Sequence, residues 1–248
     1  MSDNTFPIPD PVVLAPAHQR PQLLFVLLHD DAADPDQFET LTKALIAAFP
    51  QAAVALPYGP LASAKARHHW FLQKDLNEFN YVERVEGAVP RLVAYVQWVQ
   101  KQLDLNGETT AIAGFGQGAT LALEATLAQP DLAGRVLAFS GCYACLPAVA
   151  PQATTLHLLH GANDPIVPQS VMQNVHAHLS DLGGDATLDI ASGVGHELHT
   201  VLVEQAIHRL QTCVPMRSWK EAMTTLKAQS CDPNDGIDPD VPPGTTLH

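Results

Sequence analysis

The stretch Thr109-Thr110-Ala111-Ile112-Ala113-Gly114-Phe115-Gly116-Gln117-Gly118-Ala119 decides how this chain folds. Its first five residues read as a short strand, and helical spacing takes over in residues 117–128. Three glycines at every second position join the two. Glycine tolerates the backbone of a sharp turn, so the reading is strand, tight turn, helix, with residue 116 raised above the strand end at the helix N-terminus. Glycine turns at helix N-termini also cradle phosphates, but the dinucleotide pattern is G-x-G-x-x-G. Here the glycines are 114, 116 and 118, and they lie in mid-chain.

The same alternation extends in both directions. Upstream, Leu23-Leu24-Phe25-Val26-Leu27-Leu28 is unbroken apolar sequence, as expected of a strand covered on both faces. Helical spacing follows in Phe38, Leu41, Leu45, Ile46 and Phe49, then a strand at 52–56, and helical spacing again from Val82 to Leu103. Pro90 falls inside that last pattern and predicts a kink or a boundary. Residues 58–80 have no period and are expected to form a long loop. Downstream come strands at 135–139, 155–160 and 187–190, with helices at 169–182 and 197–210. Strand and helix in turn predict one α/β domain, a doubly wound, mostly parallel sheet with helices on both faces. Its expected span is 21–228, after an N-terminal extension at 1–20. The end, 229–248, carries Asp232, Asp235, Asp238 and Asp240 among prolines with no basic residue, and is expected to be a disordered acidic tail.

Composition narrows the function. In 248 residues there are 13 Lys and Arg against 26 Asp and Glu, a net charge of −13. Charged residues are 16%, against roughly 25% in ordinary soluble domains, so a large core is available. The acidic balance argues against nucleic acid, whose phosphates demand basic patches. No apolar run approaches the roughly 20 residues that span a bilayer, so no membrane insertion is expected. The first 19 residues have neither Lys or Arg nor a hydrophobic core, so no secretory signal is expected. Four cysteines are too few for a disulfide scaffold of this size, and the expected setting is the cytoplasm.

Two further segments complete a pattern. Gly161-Ala162-Asn163-Asp164-Pro165-Ile166-Val167-Pro168 puts Asp164 on the loop after one strand, and Gly195-His196-Glu197 puts His196 after the last strand. With Gly-Phe-Gly-Gln-Gly at 114–118, the order and context resemble the phospholipase/carboxylesterase family of α/β hydrolases, which includes acyl-protein thioesterases and small bacterial carboxylesterases. The resemblance runs from about Leu23 to Leu210. It implies an α/β-hydrolase fold, no cofactor, a small ester or thioester ligand, and hydrolysis through a serine acyl-enzyme. His196 would be the base and Asp164 its orienting acid, with the backbone N–H groups of Asp31 and Gln117 forming the oxyanion hole. Trp70, Phe71 and Cys142 would border the substrate cleft.

The chain departs from the family at the reacting atom. Gly116 stands where the family has its nucleophilic serine, so no hydroxyl can attack a carbonyl. A second departure is His29-Asp30-Asp31-Ala32, where the family has His-Gly-x-Gly. Asp30 and Ala32 replace both glycines and bring negative charge towards an oxyanion site. The expectation is therefore an esterase-type hydrolase that is strongly impaired or inactive, or a pseudohydrolase that binds or regulates without turnover. An exchange made to disable an enzyme would alter the serine alone. The additional loss of both glycines favours natural loss.

Other candidates read more plainly. His196, Glu197 and His199 lack the H-E-x-x-H pattern, so no metal is expected. Cys142 and Cys145 have redox spacing but open no helix, and are expected to be reduced small hydrophobes. His68 and His69 stand beside Trp70 and Phe71 in the long loop, with packing and cleft roles equally open. His29 is expected to be structural. Oligomeric state is left open.

Overall fold

The computed structural model describes residues 12–62 and 67–218. The chain divides into two units, Met1–Cys213 and Val214–His248, and every element below belongs to the first. The expected boundary at 228 and the expected acidic tail at 229–248 lie outside the described residues.

In chain order the elements are β1 (Val12–Leu14), β2 (Leu23–Leu28), a 3-10 turn (Pro35–Phe38), α1 (Glu39–Ala48), β3 (Ala52–Leu56), β4 (Leu61–Ala62), β5 (His68–His69), α2 (Tyr81–Leu103), β6 (Thr110–Phe115), α3 (Gln117–Ala128), β7 (Arg135–Phe139), β8 (Thr155–Gly161), α4 (Gln169–Asp181), β9 (Ala186–Ala191) and α5 (Thr200–Thr212). Seven strands form one sheet in the order β1-β3-β2-β6-β7-β8-β9. All its pairings are parallel except that of β1, which lies antiparallel along β3 with Val13 opposite Ala55. Thus Val12–Leu14, within the predicted N-terminal extension, adds an edge strand to the sheet.

The unbroken apolar strands are explained by two cores. Leu24, Val26 and Leu28 of β2 point to one face, where they meet Ile112, Val136, Leu158 and the inner sides of α2, α3 and α4. Phe25 and Leu27 point to the other, against Val54, Ala113, Leu137 and the apolar faces of α1 and α5. This alternation is the period of the strand, so both faces must be apolar when both are covered. Helix α3 is buried nearly all round, which suits its central position beneath α2.

The structure corrects the sequence reading at four places. Pro90 neither ends nor divides α2, which is continuous over 23 residues. The loop at 58–80 contains the two-residue hairpin β4–β5. Strand β6 runs on through Gly114 and Phe115, because both still pair with β7. Helix α5 starts at Thr200 rather than 197, capped by His199, whose Nδ1 accepts from the Val201 N–H at 3.2 Å. Among the described residues no helix is long and apolar enough to cross a membrane.

Candidate active site

The parallel strands all end at one edge of the sheet, where open α/β sheets hold their ligands. Beyond β2 come His29, Asp30 and Asp31; beyond β6, Gly116; beyond β7, Ser140; beyond β8, Asp164; beyond β9, His196. Residues separated by up to 166 positions in the chain meet there.

Gly116 has φ 51° and ψ −113°, a backbone that side chains resist and that glycine adopts freely. Its N–H donates to the Phe139 carbonyl at 2.9 Å, which ties the turn to β7. Gly118 is needed for a different reason: a β-carbon there would collide with the Leu28 and His29 carbonyls, so α3 could not begin so close to β2.

Asp164 is buried and fully engaged. Its Oδ1 accepts the N–H groups of Ile166 at 2.8 Å and Val167 at 3.0 Å, and its Oδ2 accepts from His196 Nδ1 at 2.8 Å. Burial pushes its pKa up, but these donors outweigh burial and hold it below the ordinary carboxylate value. His196 stands on the loop beyond β9 with its ring edge-on to Phe115, 4.8 Å between centroids.

The other nitrogen of His196 faces a second carboxylate. Asp30 Oδ2 lies 3.4 Å from Nε2, and Asp30 Oδ1 accepts the Gln117 backbone N–H at 2.7 Å. Asp30 thus occupies the donor at the helix start and confronts His196, both at once. A β-carbon built on Gly116 would overlap Asp30 Oδ1 and Cγ. The carboxylate fills the volume into which a side chain at 116 would project. Its hydrogen bond, with Asp164 adding to it against the opposing effect of burial, raises the His196 pKa above 6.5 and favours imidazolium between two carboxylates.

Asp31 turns elsewhere. Its Oδ1 accepts from His69 Nδ1 at 2.6 Å and lies 3.4 Å from Gln117 Nε2. Gln117 also accepts the Trp70 N–H through Oε1 at 2.9 Å, so one side chain secures the loop of the histidine pair to the turn. His29 is wholly buried, and its Nε2 accepts the Gly59 N–H at 2.8 Å. The proton therefore sits on Nδ1, which donates to the Asp30 carbonyl, and burial lowers its pKa.

Residues 10–214 match the family model described as Phospholipase/Carboxylesterase. The chain belongs to the phospholipase/carboxylesterase family. It is similar to Esterase YpfH of Escherichia coli (strain K12), 35% identical over 214 residues, which are 86% of this chain and 92% of that protein. Acyl-protein thioesterase 1 of Eremothecium gossypii is 30% identical over 140 residues, covering 54% and 57% of the two chains. Among solved structures, that of esterase PE8 has a TM-score of 0.74 at 26% identity, over 82% of this chain and 98% of that one. A carboxylesterase from Mesorhizobium loti, at 18% identity, 84% and 97% coverage and a TM-score of 0.70, shares the fold.

Within this family fold, a cavity of about 410 Å³ opens over Gly116 and His196. Phe71, Leu76, Tyr81, Ile166 and Val167 supply apolar wall, and Asp30, Gln117 and Cys142 lie at its polar end. Trp70 lines instead a neighbouring cavity with Leu61, Arg84 and Arg91, and its Nε1 donates to the His29 carbonyl at 2.8 Å. Cys142 is half-buried, and burial pushes its thiol up, leaving it a protonated wall group. Among the described residues no three His, Cys, Asp or Glu side chains are grouped to hold a metal.

Ser140 escaped the sequence reading. It lines the cavity, has φ 50°, and its buried Oγ has no hydrogen-bond partner among the described residues. The available signal was its place: Phe139-Ser140-Gly141 ends a strand at the same sheet edge as Gly116.

Proposed function

We propose that this member of a carboxylesterase/thioesterase-type hydrolase family has its serine acyl-enzyme route closed and hydrolyses alkyl esters far more slowly than a serine-bearing relative. The observation that carries this reading is Asp30 Oδ1 on the Gln117 N–H at 2.7 Å, over a glycine at the turn. The N–H meant for a carbonyl oxygen is already satisfied by a fixed negative charge, and no hydroxyl stands beside His196. In the family scheme Asp164 orients His196, and Asp31 and Gln117 offer oxyanion N–H groups. Phe71 and Cys142 face the ligand, with Trp70 behind them supporting the wall. The ligand expected is a small carboxylic ester or thioester, as the name of the related esterase suggests.

The test is turnover of ethyl butyrate by four purified chains: the parent sequence, Gly116→Ser, Asp30→Gly, and the two together. Only the pair should gain activity, because serine alone would meet the Asp30 carboxylate. If Gly116→Ser alone restores full turnover, Asp30 yields readily and closure is not its work. If the pair stays at background as well, the second reading gains. In that reading the cleft binds a ligand without turnover, which is favoured by the filled N–H position beneath an intact cavity.

A further inference from the structure

The closed serine route leaves three groups in a row whose arrangement it does not explain. Asp164, His196 and Asp30 are joined at 2.8 Å and 3.4 Å, and the last of them is a potential nucleophile in its own right. The two oxygens of Asp30 are not equivalent. Oδ1 is held on the Gln117 N–H, whereas Oδ2 faces His196 Nε2. The side chain is 23% exposed and lines the cavity, so a ligand can reach it.

We propose that Asp30 accepts the acyl group in this cleft, taking it from a thioester onto Oδ2 as a mixed anhydride. The proposal rests on the reading that Gly116 cannot form an acyl-enzyme. In the first step Oδ2 attacks the thioester carbonyl carbon and a C–O bond forms. The C–S bond breaks with its electron pair on sulfur, and sulfur takes the proton from His196 Nε2. A thiol leaves, and His196 is now neutral. With Asp30 acylated, the carboxylate that held that proton in place is gone, so His196 remains a base.

In the second step His196 takes a proton from water as the water oxygen attacks Cγ of Asp30. Charge collects on Oδ1, which already sits on the Gln117 N–H, so the hole serves this step. The Cγ–Oδ2 bond then breaks, and the acid departs as a carboxylate carrying the original Oδ2. Asp30 keeps the water oxygen and releases its proton. His196 is left protonated, as it began. The balance is thioester plus water giving carboxylate, thiol and one proton.

The substrate class follows from leaving groups. A carboxylate is a better leaving group than an alkoxide, so an adduct with an alkyl ester would expel Asp30 and revert. A thiol, with a pKa of ~8.5, lags the carboxylate by a much smaller margin than an alkoxide does, and protonation by His196 Nε2 lets it leave first. The filled hole also withholds the Gln117 N–H from the substrate carbonyl in the first step, which penalises unactivated esters further.

Butyryl-N-acetylcysteamine supplied to the full chain tests this, with thiol release as the readout. Release above buffer is expected, falling about 10²-fold or more in Asp30→Asn, whose circular dichroism should match the parent. Hydroxylamine added with the thioester should convert Asp30 to its hydroxamate, seen by peptide mass, and should do nothing without the thioester. A single turnover in heavy-oxygen water should place the label in Asp30. No release at all, or release that survives Asp30→Asn, overturns the proposal. Release that depends on Asp30 with neither hydroxamate nor label makes Asp30 a base for water and also overturns it. The ethyl butyrate comparison is read separately, so failure of one leaves the other standing.

Discussion

The two sides of the sheet edge have fared differently. On the β8 and β9 side, Asp164 and His196 are joined at 2.8 Å, and every oxygen of Asp164 has a donor. On the β2 and β6 side, Gly116 carries no side chain and the Asp30 carboxylate stands over it. The Asp30 carboxylate occupies the space into which a side chain at 116 would project. The contrast teaches that positions 30 and 116 form one structural unit. They share a volume, and Asp30 takes the Gln117 N–H beside it.

The strongest way to break this comparison is to rebuild the β2 and β6 side. The pair Asp30→Gly with Gly116→Ser should raise ethyl butyrate turnover by about 10³-fold or more over the parent chain, the scale set by a triad nucleophile. Gly116→Ser alone should recover little, and steady-state kinetics of the four chains checks both. Attacking the β8 and β9 side comes next. His196→Ala should lower thioester turnover by about 10²-fold, since both proton transfers pass through it.

Smaller effects appear in stability. Asp164→Ala should cost about 1–3 kcal/mol in urea unfolding, because it strands the Ile166 and Val167 N–H groups and the ring N–H of His196. Gly116→Ala should cost a similar ~1–3 kcal/mol from the positive φ and the overlap with Asp30. In an Asp30→Gly background part of that cost should vanish, and a double-mutant cycle measures the coupling.

The smallest effect is electrostatic. His196 has its pKa above 6.5 in the folded chain, so its contribution to stability is complete below about 6.5 and fades as pH rises through the folded value. Asp30→Asn removes the largest cause of that rise. The His196 ring resonances should then titrate at lower pH, and the loss of stability on the alkaline side should shrink.

Most of the fold was legible because strand and helix periods are local. Leu23 to Leu28 and Arg135 to Phe139 declare buried strands by themselves, and Asp164 and His196 are marked by their glycine neighbours. Even the misplacements are local in origin: Gly114 read as a turn although it pairs in β6, and Glu197 read as helix although the cap is His199. The direction of the Asp30 side chain is of another kind. It depends on Gln117, 87 residues away, and on His196, 166 residues away, and no period connects them. Ser140 was hidden similarly, since its positive φ follows from the bend after β7 rather than from its own residue type.

The shared volume at 30 and 116 also ties the two positions together. A side chain arriving at 116 meets the far end of Asp30, which has to turn aside, and the cost of that turn falls on its hydrogen bond to the Gln117 N–H. Change at either position is thus registered at the other, and the two behave as one locus.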